Sequence, residues 1–123
     1  MKVVSTTNAP SAIGPYSQAM ISGGMVYTSG QIAINPANGN IEATTIEKQT
    51  HQVCKNVKAV LEASGSSLDK VVKTVCFLAD MADFATFNGI YAQYFTSKPA
   101  RSCVAVKTLP KNVLVEIDTI AEV

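Results

Sequence analysis

Charge is scarce in this chain. Charged residues make up 15% of its 123 positions, while apolar residues make up 47%. An average globular protein carries roughly 25% charged residues. A surface this poor in charge implies that part of it is covered, and a second copy of the chain is the simplest cover. Lysine and arginine nearly balance aspartate and glutamate, for a net charge of +1 with no run of either sign. The basic stripe expected of a nucleic-acid binder is therefore missing. Histidine occurs once, at position 51, which excludes catalysis by a histidine pair within one chain. The cysteines are few, at 54, 76 and 103, and match no metal-ligand spacing. Their odd number suits free thiols in a reducing compartment. No apolar run approaches the roughly 20 residues of a membrane span. The Met1–Ser5 start lacks the apolar stretch of a signal peptide. The expectation is a soluble, cytoplasmic protein forming a single domain over residues 1–123, without repeats or linkers.

What is present reads as an alternation of strands and helices. Lys2–Ser5 suits a short strand, and Thr6–Pro15 a loop rich in Pro, Asn, Ser and Gly. Ser17–Ser22 and Met25–Ser29 flank Gly23-Gly24, a tight-hairpin signal because both central residues can take positive φ. Asn35–Asn40 is a second turn. Apolar residues at helical spacing from Ile46 to Leu61 predict a helix over about 45–64, with Thr44 and Glu47 in the form of a capping box. Lys70–Leu78 is apolar on both faces and predicts a central strand. Asp80 can start a second helix, whose buried face would be Phe84, Phe87, Tyr91 and Tyr94 or Phe95. Arg101–Lys107 and Val113–Ala121 complete the strands. The predicted class is α+β: a mixed six-stranded sheet with two helices on one face.

Strand parity then nominates a site. Val113, Val115, Ile117, Thr119 and Ala121 suit packing under helices, which turns Leu114, Glu116, Asp118 and Ile120 the other way. In the preceding strand Ser102, Val104 and Val106 form the better core parity. Arg101, Cys103, Ala105 and Lys107 would then share the helix-free face with Glu116. Charges on a face covered by another subunit are costly unless paired or used on a ligand. Arg101 and Glu116 are thus candidate functional residues, and an ion pair between them is the plain alternative. Cys103, with no histidine near it in sequence, reads as inert, and Cys54 and Cys76 as core. His51 reads as a solvated residue in mid-helix.

Four segments carry a resemblance: Ile13-Gly-Pro-Tyr-Ser-Gln-Ala19, Ser29-Gly-Gln-Ile32, Pro99-Ala-Arg-Ser-Cys-Val104 and Val115-Glu-Ile-Asp-Thr-Ile-Ala121. With the Asn35–Gly39 turn and the Phe84-x-x-x-Asn88 segment, they resemble the reactive intermediate deaminase family (RidA, YjgF or L-PSP) end to end. The link Thr96–Lys98 is slightly shorter than the family's. The resemblance implies a chorismate-mutase-like fold, a homotrimer with sites between subunits, and hydrolysis of 2-iminobutanoate and 2-iminopropanoate to 2-oxo acids and ammonia. By position it implies that Arg101 binds the substrate carboxylate, that the Cys103 backbone contacts the ligand, and that Glu116 holds the water. It implies further that Tyr16, Ser29, Gly30 and Asn88 line the pocket. Tyr16 also suits packing of its loop, and Asn88 a bond to a neighbouring loop. The chemistry asks for no metal and no organic cofactor, because an iminium carbon is already a strong electrophile. Other readings are an endoribonuclease or translation inhibitor, and a non-catalytic small-carboxylate sensor or holdase-like protein.

Overall fold

The computed structural model describes residues 1–123. Six strands form one sheet: β1 (Lys2–Val4), β2 (Ala19–Ser22), β3 (Met25–Thr28), β4 (Val71–Leu78), β5 (Ala100–Ala105) and β6 (Val115–Glu122). Two helices, α1 (Ile46–Ala63) and α2 (Phe84–Tyr94), form the connections β3–α1–β4 and β4–α2–β5. The sheet order is β1-β2-β3-β6-β4-β5. Only β4 and β5 run parallel, so the sheet is mixed, as predicted. Neither helix is long and apolar enough to cross a membrane.

Local chemistry accounts for the element ends. Gly23 and Gly24 have φ of 58° and 75°, and Ser22 pairs with Met25 across them. This is the two-residue turn whose twist matches that of its strands. α1 begins one residue later than the sequence pattern indicated. Thr45, not Thr44, is its cap, with Oγ1 accepting from Lys48 N at 3.2 Å. Glu47 consequently does not close a capping box. Asp80 caps a single 3-10 turn, Met81–Asp83, which leads into α2. The predicted last strand starts at Val113; the structure places a tight turn at Pro110–Asn112 and starts β6 at Val115, although Val113 is buried.

The core lies between the helices and one face of the sheet. Val53, Val57, Val60 and Leu61 of α1 and Phe87 of α2 are fully buried against Val26, Leu78, Val115 and Ile117. β6 follows the predicted parity: Val113, Val115, Ile117, Thr119 and Ala121 are all buried, while Leu114, Glu116, Asp118 and Ile120 are half-buried on the other side. Every buried side-chain nitrogen and oxygen has a hydrogen-bond partner. The opposite face of the sheet has no layer over it. It exposes Val3, Tyr27 and Val104.

In β5 the predicted parity is reversed. Arg101, Cys103 and Ala105 are registered with Thr74, Cys76 and Leu78, the buried positions of β4. Paired residues in a sheet point to the same side, so Arg101 and Cys103 lie on the helix side. Val104 faces the open side and is 46% exposed. The physical reason is that β5 is an edge strand at the border of the core. There a long arginine stem can cover aromatic rings as a core residue would. The apolarity of Val104 and Val106 is a misleading guide, because the open face is apolar too.

Candidate functional site

On the helix side, the end of β5 meets α2. Arg101 is half-buried, and its Nη1 donates to Asn88 Oδ1 at 2.7 Å. Its Cζ lies 4.9 Å from the Tyr91 ring centroid and 5.4 Å from that of Phe84. Phe84, Asn88 and Tyr91 are spaced i, i+4, i+7 and so share one face of α2. The short link after α2 therefore does not keep Asn88 from Arg101. The partner is a neutral amide, so the guanidinium keeps its full charge, and its other N–H groups remain uncommitted. Beside it opens a cavity of about 450 Å³, walled by Tyr91, Phe95, Lys98 and Pro99.

Cys103 is half-buried next to Cys76 and two positions from Arg101. Burial pushes its thiol pKa up, and the Arg101 charge opposes this only in part. Cys76, deeper, is pushed up to about 12, chiefly by burial. Both surroundings favour the thiol over the nucleophilic thiolate.

On the open side, Glu116 sits with Tyr16, Ser29 and Gly30 at a separate cavity of about 570 Å³, walled also by Ile13, Ile32 and Lys111. Gly30 is required for this contact. A Cβ built there would overlap the Glu116 carboxylate, whose Cδ would lie 2.8 Å away. Ser29 is committed to the scaffold, with Oγ donating to Ser17 O at 2.6 Å. Tyr16 is 53% exposed, and its Oη accepts from Ile13 N of the same loop at 3.4 Å. Gln18 holds that loop in its place: Oε1 accepts from Thr6 N and Nε2 donates to Pro10 O, each at 2.7 Å. Nothing in the sequence pattern singled out Gln18. Burial raises the pKa of Glu116, and the neighbouring Asp118 carboxylate raises it further.

The residues expected to form one site thus fall into two groups. Arg101, Asn88 and Cys103 lie together on the helix side; Tyr16, Ser29, Gly30 and Glu116 lie together on the open side. Expecting Arg101 and Glu116 on one face was wrong, and an ion pair between them within the chain is ruled out with it. His51 was expected to be solvated. It is part-buried instead, with Nδ1 2.7 Å from Tyr94 Oη, and lines neither cavity. No set of three His, Cys, Asp or Glu side chains is placed to hold a metal ion.

These features define a class: a small α+β sheet protein with a clamped arginine on one side of the sheet and an acid-bearing cavity on the other. The chain belongs to the family described as Endoribonuclease L-PSP, whose model matches residues 6–123. A relative from Escherichia coli named 2-iminobutanoate/2-iminopropanoate deaminase is 48% identical, covering 98% of this chain and 96% of its own. A relative from Lactococcus lactis bearing a regulator's name, AldR, is 53% identical over 100% of this chain and 98% of its own. The crystal structure of Escherichia coli TdcF with bound serine superimposes with a TM-score of 0.95 at 42% identity, covering 100% of this chain and 99% of that one.

Proposed function

We propose that this chain hydrolyses small 2-imino acids, 2-iminobutanoate and 2-iminopropanoate, to 2-oxo acids and ammonia. We propose further that it does so as a cytoplasmic homotrimer in which the Arg101 group of one copy meets the Glu116 group of the next. The observation that carries the reading is the state of Arg101. A guanidinium fixed by Asn88 and two rings, with donors uncommitted, is prepared for a planar anion. The 48% identity to a protein named for this deamination, and the serine bound to the similar TdcF, support a small carboxylate as that anion.

The reaction needs little else. Arg101 holds the carboxylate, and backbone groups at Gly30 and Cys103 orient the remainder of the ligand. Glu116, held against Gly30, accepts a hydrogen bond from a water and takes its proton as the oxygen bonds to the C=N carbon. The π electrons of C=N pass to nitrogen. The proton is then delivered to that nitrogen, the C–N bond breaks, and the hydroxyl loses its proton to leave a 2-oxo acid and ammonia. The raised pKa of Glu116 makes it a stronger base than an ordinary carboxylate. Placing water and imine together can supply roughly 7–11 kcal/mol of the barrier reduction.

The test couples the protein to a threonine dehydratase in the presence of a nucleophile that traps free imine. Faster 2-oxobutanoate formation and less trapped imine are expected. No acceleration, with 2-oxobutanoate nevertheless bound at Arg101, would replace the enzyme with a carboxylate sensor.

A further inference from the structure

Arg101 is a long, flexible side chain at the edge of a sheet, yet it lies across two rings. The more buried ring is that of Tyr91, 8% exposed and 4.9 Å below the guanidinium carbon. That ring is itself fixed. Its Oη is 2.7 Å from Thr74 Oγ1, and Thr74 is fully buried on β4. Phe95 stacks on it at 4.4 Å and 24°, and Phe87 leans on it at 5.5 Å. A phenylalanine would fill this core without needing a buried hydroxyl partner, so the Thr74–Tyr91 pair fixes the ring in a way that packing alone does not.

We propose that Tyr91 is a positioning residue for Arg101, its ring pinned by Thr74 so that the guanidinium is held in the plane that accepts a carboxylate. This rests on the reading of Arg101 given above. The chain of contact runs from the central strand to the ligand: Thr74 sets the ring, the ring's face sets the guanidinium plane, and Asn88 sets its rotation within that plane. Burial raises the Tyr91 pKa, so the phenol stays neutral and presents a cation-binding face without a competing negative charge. Phe84 closes the arrangement at its outer end.

The test compares Tyr91→Leu, Tyr91→Phe and Thr74→Val in the full protein. Tyr91→Leu should raise KM for 2-iminobutanoate about tenfold and weaken 2-oxobutanoate binding by a similar factor, with a smaller change in kcat. A merely structural loss would instead lower the active fraction and leave KM alone. Tyr91→Phe keeps the ring and should stay within about threefold of wild type. The Nε–Hε NMR signal of Arg101 gives a readout independent of turnover. It should move away from its ring-shifted position in Tyr91→Leu, and move less in Tyr91→Phe and Thr74→Val. A folded Tyr91→Leu protein with wild-type KM and an unmoved signal overturns the proposal. Should that variant not fold, an unmoved signal in both conservative variants overturns it equally. If wild type neither turns over the imine nor binds 2-oxobutanoate while the signal still depends on Tyr91, the positioning stands and the imine reading falls.

Discussion

Arg101 and Glu116 point to opposite sides of one sheet, although only β4 separates their strands. Arg101 is registered with Thr74 and Glu116 with Phe77, three residues apart on β4. An odd spacing on a strand reverses the side. No side-chain rotation brings the two groups together within one chain. A reaction that uses both requires a second copy, and the uncovered face bearing Tyr27 and Val104 is where Glu116 would be reached.

Mixing inactive variants tests this directly. Arg101→Ala and Glu116→Gln should each be nearly inactive alone. Unfolded and refolded together, they should regain activity. With random assembly, a site holding both intact groups forms in about a quarter of cases. Steady-state 2-oxobutanoate formation in the mixture measures the recovery. A mixture no more active than its parts would remove one of the two groups from the mechanism.

Arg101 itself should be intolerant of change while the fold survives its loss, at a modest cost in stability from the packing its stem gives up. Arg101→Ala should lower kcat/KM by at least about 100-fold, roughly 3 kcal/mol of transition-state binding. Arg101→Lys keeps the charge but loses the planar fork, and should recover only a small part of that. Circular dichroism and thermal melting should show both variants folded. Normal turnover by Arg101→Ala would end the site assignment.

The fold was legible in the sequence because its periodicities are strong. The segment from Val113 through β6 to Ala121 alternates cleanly, and the Gly23-Gly24 turn declares its hairpin. The side of Arg101 was not legible, for a reason particular to edge strands. Binary pattern assigns valine inward and arginine outward. In β5 the arginine's stem packs on Tyr91 and Phe84, while Val104 faces a sheet surface that is apolar for other reasons. A signal was nevertheless present in α2. An asparagine between aromatics at i−4 and i+3 is a poor way to build a core face, and it marks where a polar group must be met. The pairing of Glu116 with Gly30 is non-local and lay beyond any spacing argument.

That pairing yields a prediction of its own. In Gly30→Ala the new methyl group and the Glu116 carboxylate cannot share their space. The carboxylate is the movable end of a flexible side chain, so it will swing aside at small cost to stability. Turnover should drop about tenfold or more, because a displacement near 1 Å is enough to spoil the attack geometry. The melting temperature should stay within a few degrees of wild type. A wild-type rate in Gly30→Ala would mean that the position of Glu116 does not matter to the chemistry.

Glu116 and Asp118 both have raised pKa values, Glu116 through burial and then Asp118, and Asp118 through burial. The acid limb of kcat/KM reports the base in the free enzyme, and Glu116 is active only when deprotonated. Activity should therefore be lost as pH falls through a value above the ordinary glutamate range of about 4.3. Asp118→Asn removes the like charge but not the burial. The limb should shift to lower pH without reaching the ordinary value. Stability carries the opposite sign. A carboxyl group with a raised folded-state pKa binds more protons folded than unfolded, so its contribution is present below the unfolded pKa and lost as pH rises through the folded one. Urea midpoints between about pH 4 and pH 7 should fall with rising pH more steeply in wild type than in Asp118→Asn. An acid limb at the ordinary glutamate value, unmoved by Asp118→Asn, would show that another group is the base.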